Sequence, residues 1–157
     1  MKKKTILLKG ASGFFGYYIF EKIKKEYNLL TPNSKKLNLL NRKSIIKYFK
    51  EKKIDIVINA AWKINSTLSP ENLRKKNYLK NVKISKNLTL ISKKFSIKKF
   101  LNISSMNVYK NKNHKLKEID LLKSSSNQSK TPEGMAKLFA INLCKKYSIK
   151  DFEYRNL

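Results

Sequence analysis

Three glycines near the start of the chain have a spacing that suits the binding of phosphate groups. Gly10, Gly13 and Gly16 form a G-x-x-G-x-x-G pattern directly after a short apolar run. Glycine permits a tight turn, and its missing Cβ lets a pyrophosphate approach the backbone. A helix that begins here adds free N–H groups and a partial positive charge. The pattern predicts a dinucleotide site formed by Gly10, Ser12, Gly13, Phe14, Phe15 and Gly16. The alternative is that the glycines serve only a tight strand-to-helix turn.

The elements around this turn are those of an α/β domain. Apolar runs predict strands at Thr5–Leu8, Leu29–Thr31, Ile54–Asn59, Phe100–Ser104 and Phe152–Leu157. Helical spacing predicts helices at Phe14–Tyr27, Ser44–Lys53, Leu73–Phe95 and Glu133–Tyr147, with a polar loop over 110–131. In the first helix the apolar positions include Phe15, and Ser44 is a candidate cap of the second. The alternation predicts a Rossmann-type, doubly wound parallel sheet over residues 1–157, covered by helices on both faces.

Composition narrows the class of protein. The 157 residues are 41% hydrophobic, which fits one domain with its own core. The net charge is +27, but the lysines are spread along the whole chain and only three residues are arginine. Abundant Lys, Asn and Ile indicate drift in an AT-rich genome more than a nucleic-acid footprint. The single Cys144 and the absence of a long apolar run predict a cytoplasmic protein without a membrane span. The absence of a His/Cys cluster predicts that the protein binds no metal.

Further segments resemble the extended short-chain dehydrogenase/reductase family, the NAD-dependent epimerases and dehydratases that act on nucleotide sugars. Asp55–Ala61 is similar to the family's D-x-V-x-x-A-A strand, and Asn81-Val82 with Asn87-Leu88 is similar to its N-V-x-G-T-x-N-L helix. Ile103–Tyr109 resembles the turn that carries a catalytic Ser or Thr, and Gly134–Lys137 the end of a Y-x-x-x-K helix. The resemblance implies that Asn59, Ala60, Ala61, Lys63 and Lys137 line the cofactor and that Ser105 and Lys137 are catalytic.

The substrate is less well defined by the resemblance. Leu37-Asn38-Leu39 and Ala60–Lys63 are most similar to GDP-fucose synthase-like epimerase/reductases, with dTDP-4-dehydrorhamnose reductases and general epimerase/dehydratases as close rivals. Sugar dehydratases of the family usually carry Asp-Glu after the catalytic Thr, whereas Met106-Asn107 follows Ser105 here. This difference disfavours a dehydratase.

Two departures from the family pattern bear on activity. Glu133 stands four residues before Lys137, where the family has its catalytic tyrosine. An ionised glutamate accepts a proton but cannot donate a hydrogen bond to a sugar ketone. The alternative for Glu133 is an acid at a helix start that pairs with Lys137 one turn later. In addition, the resemblance covers only about the first half of a typical member, so we expect residues 1–157 to lack the substrate domain.

The segment after the second predicted strand bears on the choice of cofactor. NAD-selective domains usually place an acidic residue there to hold the ribose 2′-hydroxyl. Here the segment contains no acid, and Ser34, Lys35 and Lys36 could meet a 2′-phosphate instead. We therefore expect NADP, with NAD as the alternative. Trp62, after the third strand, lies where it either lines the nicotinamide pocket or caps the core.

Taken together, the sequence favours the cofactor-binding half of an NAD(P)-dependent nucleotide-sugar oxidoreductase/epimerase of cell-surface polysaccharide synthesis. Its substrate would be a nucleotide sugar, and a homodimer is compatible with the resemblance. The first alternative is a non-catalytic dinucleotide-binding module, either a pseudoenzyme or a gene remnant, for which Glu133 and the missing substrate domain argue. The second is a basic nucleic-acid-binding protein, which would show steeply salt-dependent binding.

Overall fold

The computed structural model describes residues 3–63, 68–109, 117, 129, 131–147 and the backbone of 153–156. Strands and helices alternate along this part of the chain. The strands are β1 (Thr5–Lys9), β2 (Asn28–Leu30), β3 (Ile56–Asn59), β4 (Lys99–Asn102) and β5 (Glu153–Asn156). The helices are α1 (Phe14–Ile23), α2 (Arg42–Glu51), α3 (Glu71–Lys94) and α4 (Pro132–Tyr147), with a 3-10 helix at Met106–Val108.

The five strands form one parallel sheet in the order β2-β1-β3-β4-β5. Ile6 of β1 is in register with Leu29 of β2 on one side and with Ile56 of β3 on the other. The chain therefore runs outward from β1 in one direction and then returns to continue in the other. In a parallel α/β sheet, the crevice for a ligand lies at the carboxyl ends of the strands where the order reverses. That place is the carboxyl end of β1 and β3.

Side chains of the strands alternate between two cores, because successive residues of a strand point to opposite faces. On one face Leu7, Val57 and Phe100 pack with residues of α2, α3 and α4, including Phe49, Leu88 and Cys144. On the other face Ile6, Leu8 and Ile58 pack with Ile19, Phe20 and Ile23 of α1. The predicted sheet with helices on both faces is confirmed.

Most differences from the sequence prediction concern the ends of elements. The second helix begins at Arg42, because the Asn41 side chain accepts hydrogen bonds from the backbone N–H groups of Lys43 and Ser44. Asparagine caps a helix as well as serine does, and the Ser44 hydroxyl instead accepts from the Asn38 N–H. Phe15, expected on the apolar side of α1, is 61% exposed.

The predicted loop over 110–131 lies outside the described residues, apart from Lys117, Ser129 and Thr131. Across the described part of the chain, the structure contains no helix that is both long enough and apolar enough to cross a membrane.

Candidate cofactor and catalytic site

The glycine turn lies at the carboxyl end of β1, as predicted, and two of its glycines are required by close packing. Gly10 has a positive φ of 86°, and a Cβ there would lie 2.5 Å from the Ala60 carbonyl carbon. A Cβ on Gly16 would overlap the carbonyl group of Gly10. The Gly13 N–H donates to the Gly10 carbonyl at 2.9 Å. Gly10 therefore packs against the segment that follows β3, and the first turn of α1 packs against Gly10.

Gly13 has a different environment from the other two glycines of the turn. It precedes α1 with an ordinary extended backbone (φ −85°, ψ 168°), and the atom nearest to a Cβ built on it is the Gly10 carbonyl oxygen at 3.3 Å. Having no side chain, Gly13 cannot cap the helix, so N–H groups of the first turn remain for another acceptor. That turn also contains no acidic residue. A phosphate at this helix end would meet N–H donors and the positive end of the dipole.

Three further residues of the turn, Ser12, Phe14 and Phe15, were predicted to form the phosphate site. Ser12 is exposed, as are the Phe14 and Phe15 side chains, with 73% and 61% of their surfaces accessible. Their aromatic rings contact each other edge to face with centroids 5.4 Å apart. The groups of these two residues that could donate to a phosphate are their backbone N–H groups in the first turn of α1.

A row of amide side chains supports the end of β3 beside the glycine turn. The Asn59 side chain is 2% exposed, and its Nδ2 donates to Oδ1 of Asn102 at the end of β4. The Asn59 Oδ1 accepts from the Ala61 N–H, and the Ala60 N–H donates to the Lys9 carbonyl. The backbone of Asn59, Ala60 and Ala61 is thereby fixed next to Gly10, where the resemblance places the cofactor.

Lys63 is held at this edge through its backbone. The buried Asn81 of α3 accepts a hydrogen bond from the Lys63 N–H and donates one to the Lys63 carbonyl, each at 2.9 Å. The Lys63 side chain itself is exposed. The sequence placed Asn81 within a family-like helix but did not indicate these two hydrogen bonds, because the pattern alone does not show what the amide contacts.

Lys137 lies inside the molecule on α4, with only 9% of its surface exposed. Its ammonium donates to the backbone carbonyl of Ile103 and lies 3.9 Å from the centre of the Trp62 ring. Burial lowers the pKa of Lys137 to about 8, and the negative charge of Glu133 opposes part of that shift. Trp62 therefore contacts the predicted catalytic lysine, which favours the first of its two interpretations.

Ser105 follows β4, two residues after the carbonyl that Lys137 contacts. Its hydroxyl accepts a hydrogen bond from the Asn107 N–H and so begins the 3-10 helix. The first turn of α4 packs closely on this helix, because a Cβ on Gly134 would overlap the Asn107 carbonyl and the Ser129 side chain. The structure thus brings the segment of Ser105 together with the helix start that carries Glu133 and Lys137.

One buried lysine was not recognised from the sequence. Lys9, the last residue of β1, is 5% exposed, and burial lowers its pKa to about 8. A lysine at the end of an apolar run ordinarily indicates the point where a strand reaches solvent. The only sequence signal was its position immediately before Gly10.

The two buried lysines lead to a prediction about stability and pH. Lys9 and Lys137 titrate near 8 in the folded chain and near 10.5 in the unfolded chain, so above pH 8 the unfolded state binds more protons. The free energy of unfolding should therefore increase with pH. Buried Cys144, whose pKa is raised to about 12, acts in the opposite direction above pH 9. From pH 7 to pH 9 we expect a net increase of about 2 kcal/mol.

Urea denaturation at pH 7, 8 and 9 measures this change. The double variant Lys9→Met/Lys137→Met should lose the increase, and Lys52→Met/Lys53→Met, which removes two exposed lysines, should keep it. An increase of the same size in both variants would contradict the assignment.

Known proteins are similar to this chain in sequence. A model of the NAD dependent epimerase/dehydratase family matches residues 6–157. The GDP-L-colitose synthase of Yersinia pseudotuberculosis is 32% identical over 152 residues, which are 96% of this chain and 49% of that protein. The GDP-L-fucose synthase of Escherichia coli K12 is 24% identical over 151 residues, 94% of this chain and 47% of that protein. The chain spans about half the length of the curated relatives it matches.

The fold of this chain is shared with solved structures of other proteins. The GDP-D-glycero-L-gluco-heptose synthase of Campylobacter jejuni, crystallised in the presence of NADPH, superposes with a TM-score of 0.86 at 22% identity. The alignment covers 99% of this chain and 47% of that one. At this level of identity the likeness establishes the fold, and the matched portion is again about half of the other chain.

Proposed function

Because the chain belongs to the NAD-dependent epimerase/dehydratase family, we propose that it is the cofactor-binding half of an NADP-dependent nucleotide-sugar oxidoreductase/epimerase. The GDP-fucose synthase-like type is favoured, since both curated relatives described above are GDP-sugar synthases. The substrate would then be a GDP-linked 4-keto sugar, and the product would enter cell-surface polysaccharide. A homodimer is compatible with this assignment.

The observation that carries the proposal is the glycine turn at the strand crossover. Gly10 and Gly16 fit the turn only because they lack a Cβ, and Gly13 leaves the start of α1 without a side-chain cap. The turn lies between the carboxyl ends of β1 and β3, where an α/β sheet offers its ligand crevice. A pyrophosphate suits this donor set by charge, and we assign it to the backbone N–H groups from Phe14 to Gly16, because the Gly13 N–H already donates to the Gly10 carbonyl.

The catalytic part of the proposal involves three side chains of this chain. The nicotinamide of a bound cofactor would supply or accept the hydride. Lys137 holds a positive charge next to the Trp62 ring and close to the Ser105 segment, a position from which it can bind a ribose hydroxyl. Ser105 would donate a hydrogen bond to the substrate oxygen. With a pKa of about 8, Lys137 is mainly protonated at pH 7 and keeps this charge.

The choice of NADP depends on the turn after β2. Ser34, Lys35 and Lys36 are all exposed there, and the segment contains no carboxylate that would repel a 2′-phosphate. The structural relative from Campylobacter jejuni was crystallised with NADPH, which agrees with this preference. Two lysines and a hydroxyl group supply the donors that a 2′-phosphate needs.

Calorimetric titration with NADPH and NADH tests the proposal. We expect NADPH to bind at least about tenfold more tightly, because an extra charge-assisted hydrogen bond contributes about 1.5 kcal/mol or more. Lys35→Gln/Lys36→Gln should reduce this preference. Its matched control is Lys52→Gln/Lys53→Gln, at the far end of α2, which lowers the net charge by the same two units. Failure of both nucleotides to bind would refute the proposal, and equal affinity for both would refute the choice of NADP.

A second candidate is a non-catalytic dinucleotide-binding module. It is favoured by Glu133, which occupies the position where the family resemblance implies a tyrosine. Such a module would bind NADPH with the same preference but would transfer no hydride to a nucleotide sugar. This candidate would be supported over the enzyme if the cofactor binds but no turnover occurs, even after Glu133→Tyr in a protein that also carries a substrate half.

A further inference from the structure

Lys9 is a buried charge that the proposed chemistry does not use. Its side chain leaves the end of β1 on the side of the turn after β2. There its Nζ donates to the Pro32 carbonyl at 2.7 Å and to the Leu37 carbonyl at 3.3 Å. The two carbonyls are the first and last of a six-residue segment, so a single ammonium group connects both ends of that segment.

Holding an ammonium group inside the molecule costs free energy, because the group gives up its hydration. The lowered pKa of Lys9 reflects that cost. An apolar residue would continue the strand Ile6–Leu8 without it. The two carbonyl groups compensate by accepting from the ammonium, and the same two hydrogen bonds connect both ends of the segment to the end of β1.

The connected segment has its own internal hydrogen bonds. The Asn33 side chain accepts from the Lys36 N–H at 3.0 Å, and the Asn33 carbonyl accepts from the Leu37 N–H at 2.9 Å. The Leu37 side chain is fully buried in the core. The turn Asn33–Lys36 is therefore closed on itself, and Lys9 joins this closed turn to the strand that precedes the glycine pattern.

We propose that Lys9 is a positioning residue that holds the turn Asn33–Lys36 against the cofactor crevice and thereby sets the preference for a 2′-phosphorylated adenosine. This inference rests on the proposed function. Lys9 acts through the turn, because its ammonium is occupied by two backbone carbonyls. Ser34, Lys35 and Lys36 provide the contacts, and their approach to the 2′-phosphate depends on where Lys9 holds the two ends of the segment.

The test compares Lys9→Met, which keeps the length of the side chain but removes its donors, with Lys9→Arg, which keeps them. Titration with 2′,5′-ADP and 5′-AMP isolates the 2′-phosphate from the rest of the cofactor. For Lys9→Met we expect the ratio of the two affinities to fall at least about tenfold while 5′-AMP binding changes less than about threefold. Lys9→Arg should keep most of the preference. An unchanged ratio in Lys9→Met would overturn the inference.

A second measurement uses the unaltered protein and does not depend on a variant that folds. Hydrogen exchange over residues 31–38 should slow on adding 2′,5′-ADP and remain unchanged on adding 5′-AMP. Equal protection by both ligands would overturn the inference. If neither ligand nor NADPH binds the unaltered chain, the proposed function fails; if NADPH is preferred and Lys9→Met retains the preference, only the role of Lys9 fails.

Discussion

Replacing Gly13 with Asp is expected to lower the affinity for NADPH at least about 100-fold while leaving the fold intact. The new carboxylate would lie at the start of α1, where it would accept from the N–H groups assigned to the pyrophosphate and repel the phosphates. Loss of two charge-assisted hydrogen bonds at about 1.5 kcal/mol each accounts for about 3 kcal/mol, or a factor of about 100. Calorimetric titration measures the change.

The fold should survive because Gly13 has an extended backbone that any residue adopts, and a Cβ there, 3.3 Å from the Gly10 oxygen, requires only a small shift of that oxygen. An aspartate there also caps the helix. Asn28→Asp is the matched control, since it adds the same charge at the opposite end of the sheet, where β2 begins. Unchanged NADPH affinity in a folded Gly13→Asp protein would show that the turn is not the binding site.

Features that depend on local spacing could be predicted from the sequence. The glycine turn needed only the order of an apolar run, three glycines and an amphipathic segment, and it lies at the end of β1 as expected. Asn59 and Lys137 were identified through the resemblance. The structure places Asn59 at the carboxyl end of β3, and the Lys137 ammonium reaches from α4 to the carbonyl of Ile103, which follows β4. Parallel strands bring such residues to one edge of a sheet even when they are far apart in sequence.

Features that depend on distant contacts could not be predicted. The burial of Lys9 results from the return of residues 32–37 over the end of β1, which no periodicity within β1 indicates. The cap of α2 could not be chosen from the sequence, because Asn41 and Ser44 stand three positions apart and asparagine and serine cap helices equally well. Phe15 is exposed although Ile19, one helical turn later, packs on the sheet, so helical spacing alone did not distinguish the two positions.

Restoring the tyrosine through Glu133→Tyr is expected to have the largest effect on activity, provided that a substrate half is present. The curated relatives are about twice as long as this chain, so the test joins residues 1–157 to the C-terminal half of the Yersinia pseudotuberculosis GDP-L-colitose synthase. With Glu133→Tyr we expect kcat/KM for a GDP-4-keto sugar and NADPH to rise about 10²–10⁴-fold over the same fusion with glutamate, the usual contribution of general acid–base catalysis.

The reason lies in the proton that must reach the sugar oxygen. Glu133 is one helical turn from Lys137 on α4, and a carboxylate in its ionised form has no proton to donate. A tyrosine keeps its proton at pH 7 and can lose it to the substrate while Lys137 stabilises the phenolate. Lys137→Met in the tyrosine-bearing fusion should therefore remove most of the gain, whereas Lys145→Met, on the same helix but exposed, should not.

Residues 1–157 alone should remain inactive with either residue at position 133, because orientation of the bound sugar is worth roughly 7–11 kcal/mol of the barrier. Rapid turnover by the unaltered 157 residues would contradict this prediction. It would mean that the proton reaches the sugar without a tyrosine at position 133 and that a second copy or another protein supplies the sugar site. A fusion that binds NADPH but gains nothing from Glu133→Tyr would instead support a module that binds the cofactor without using it.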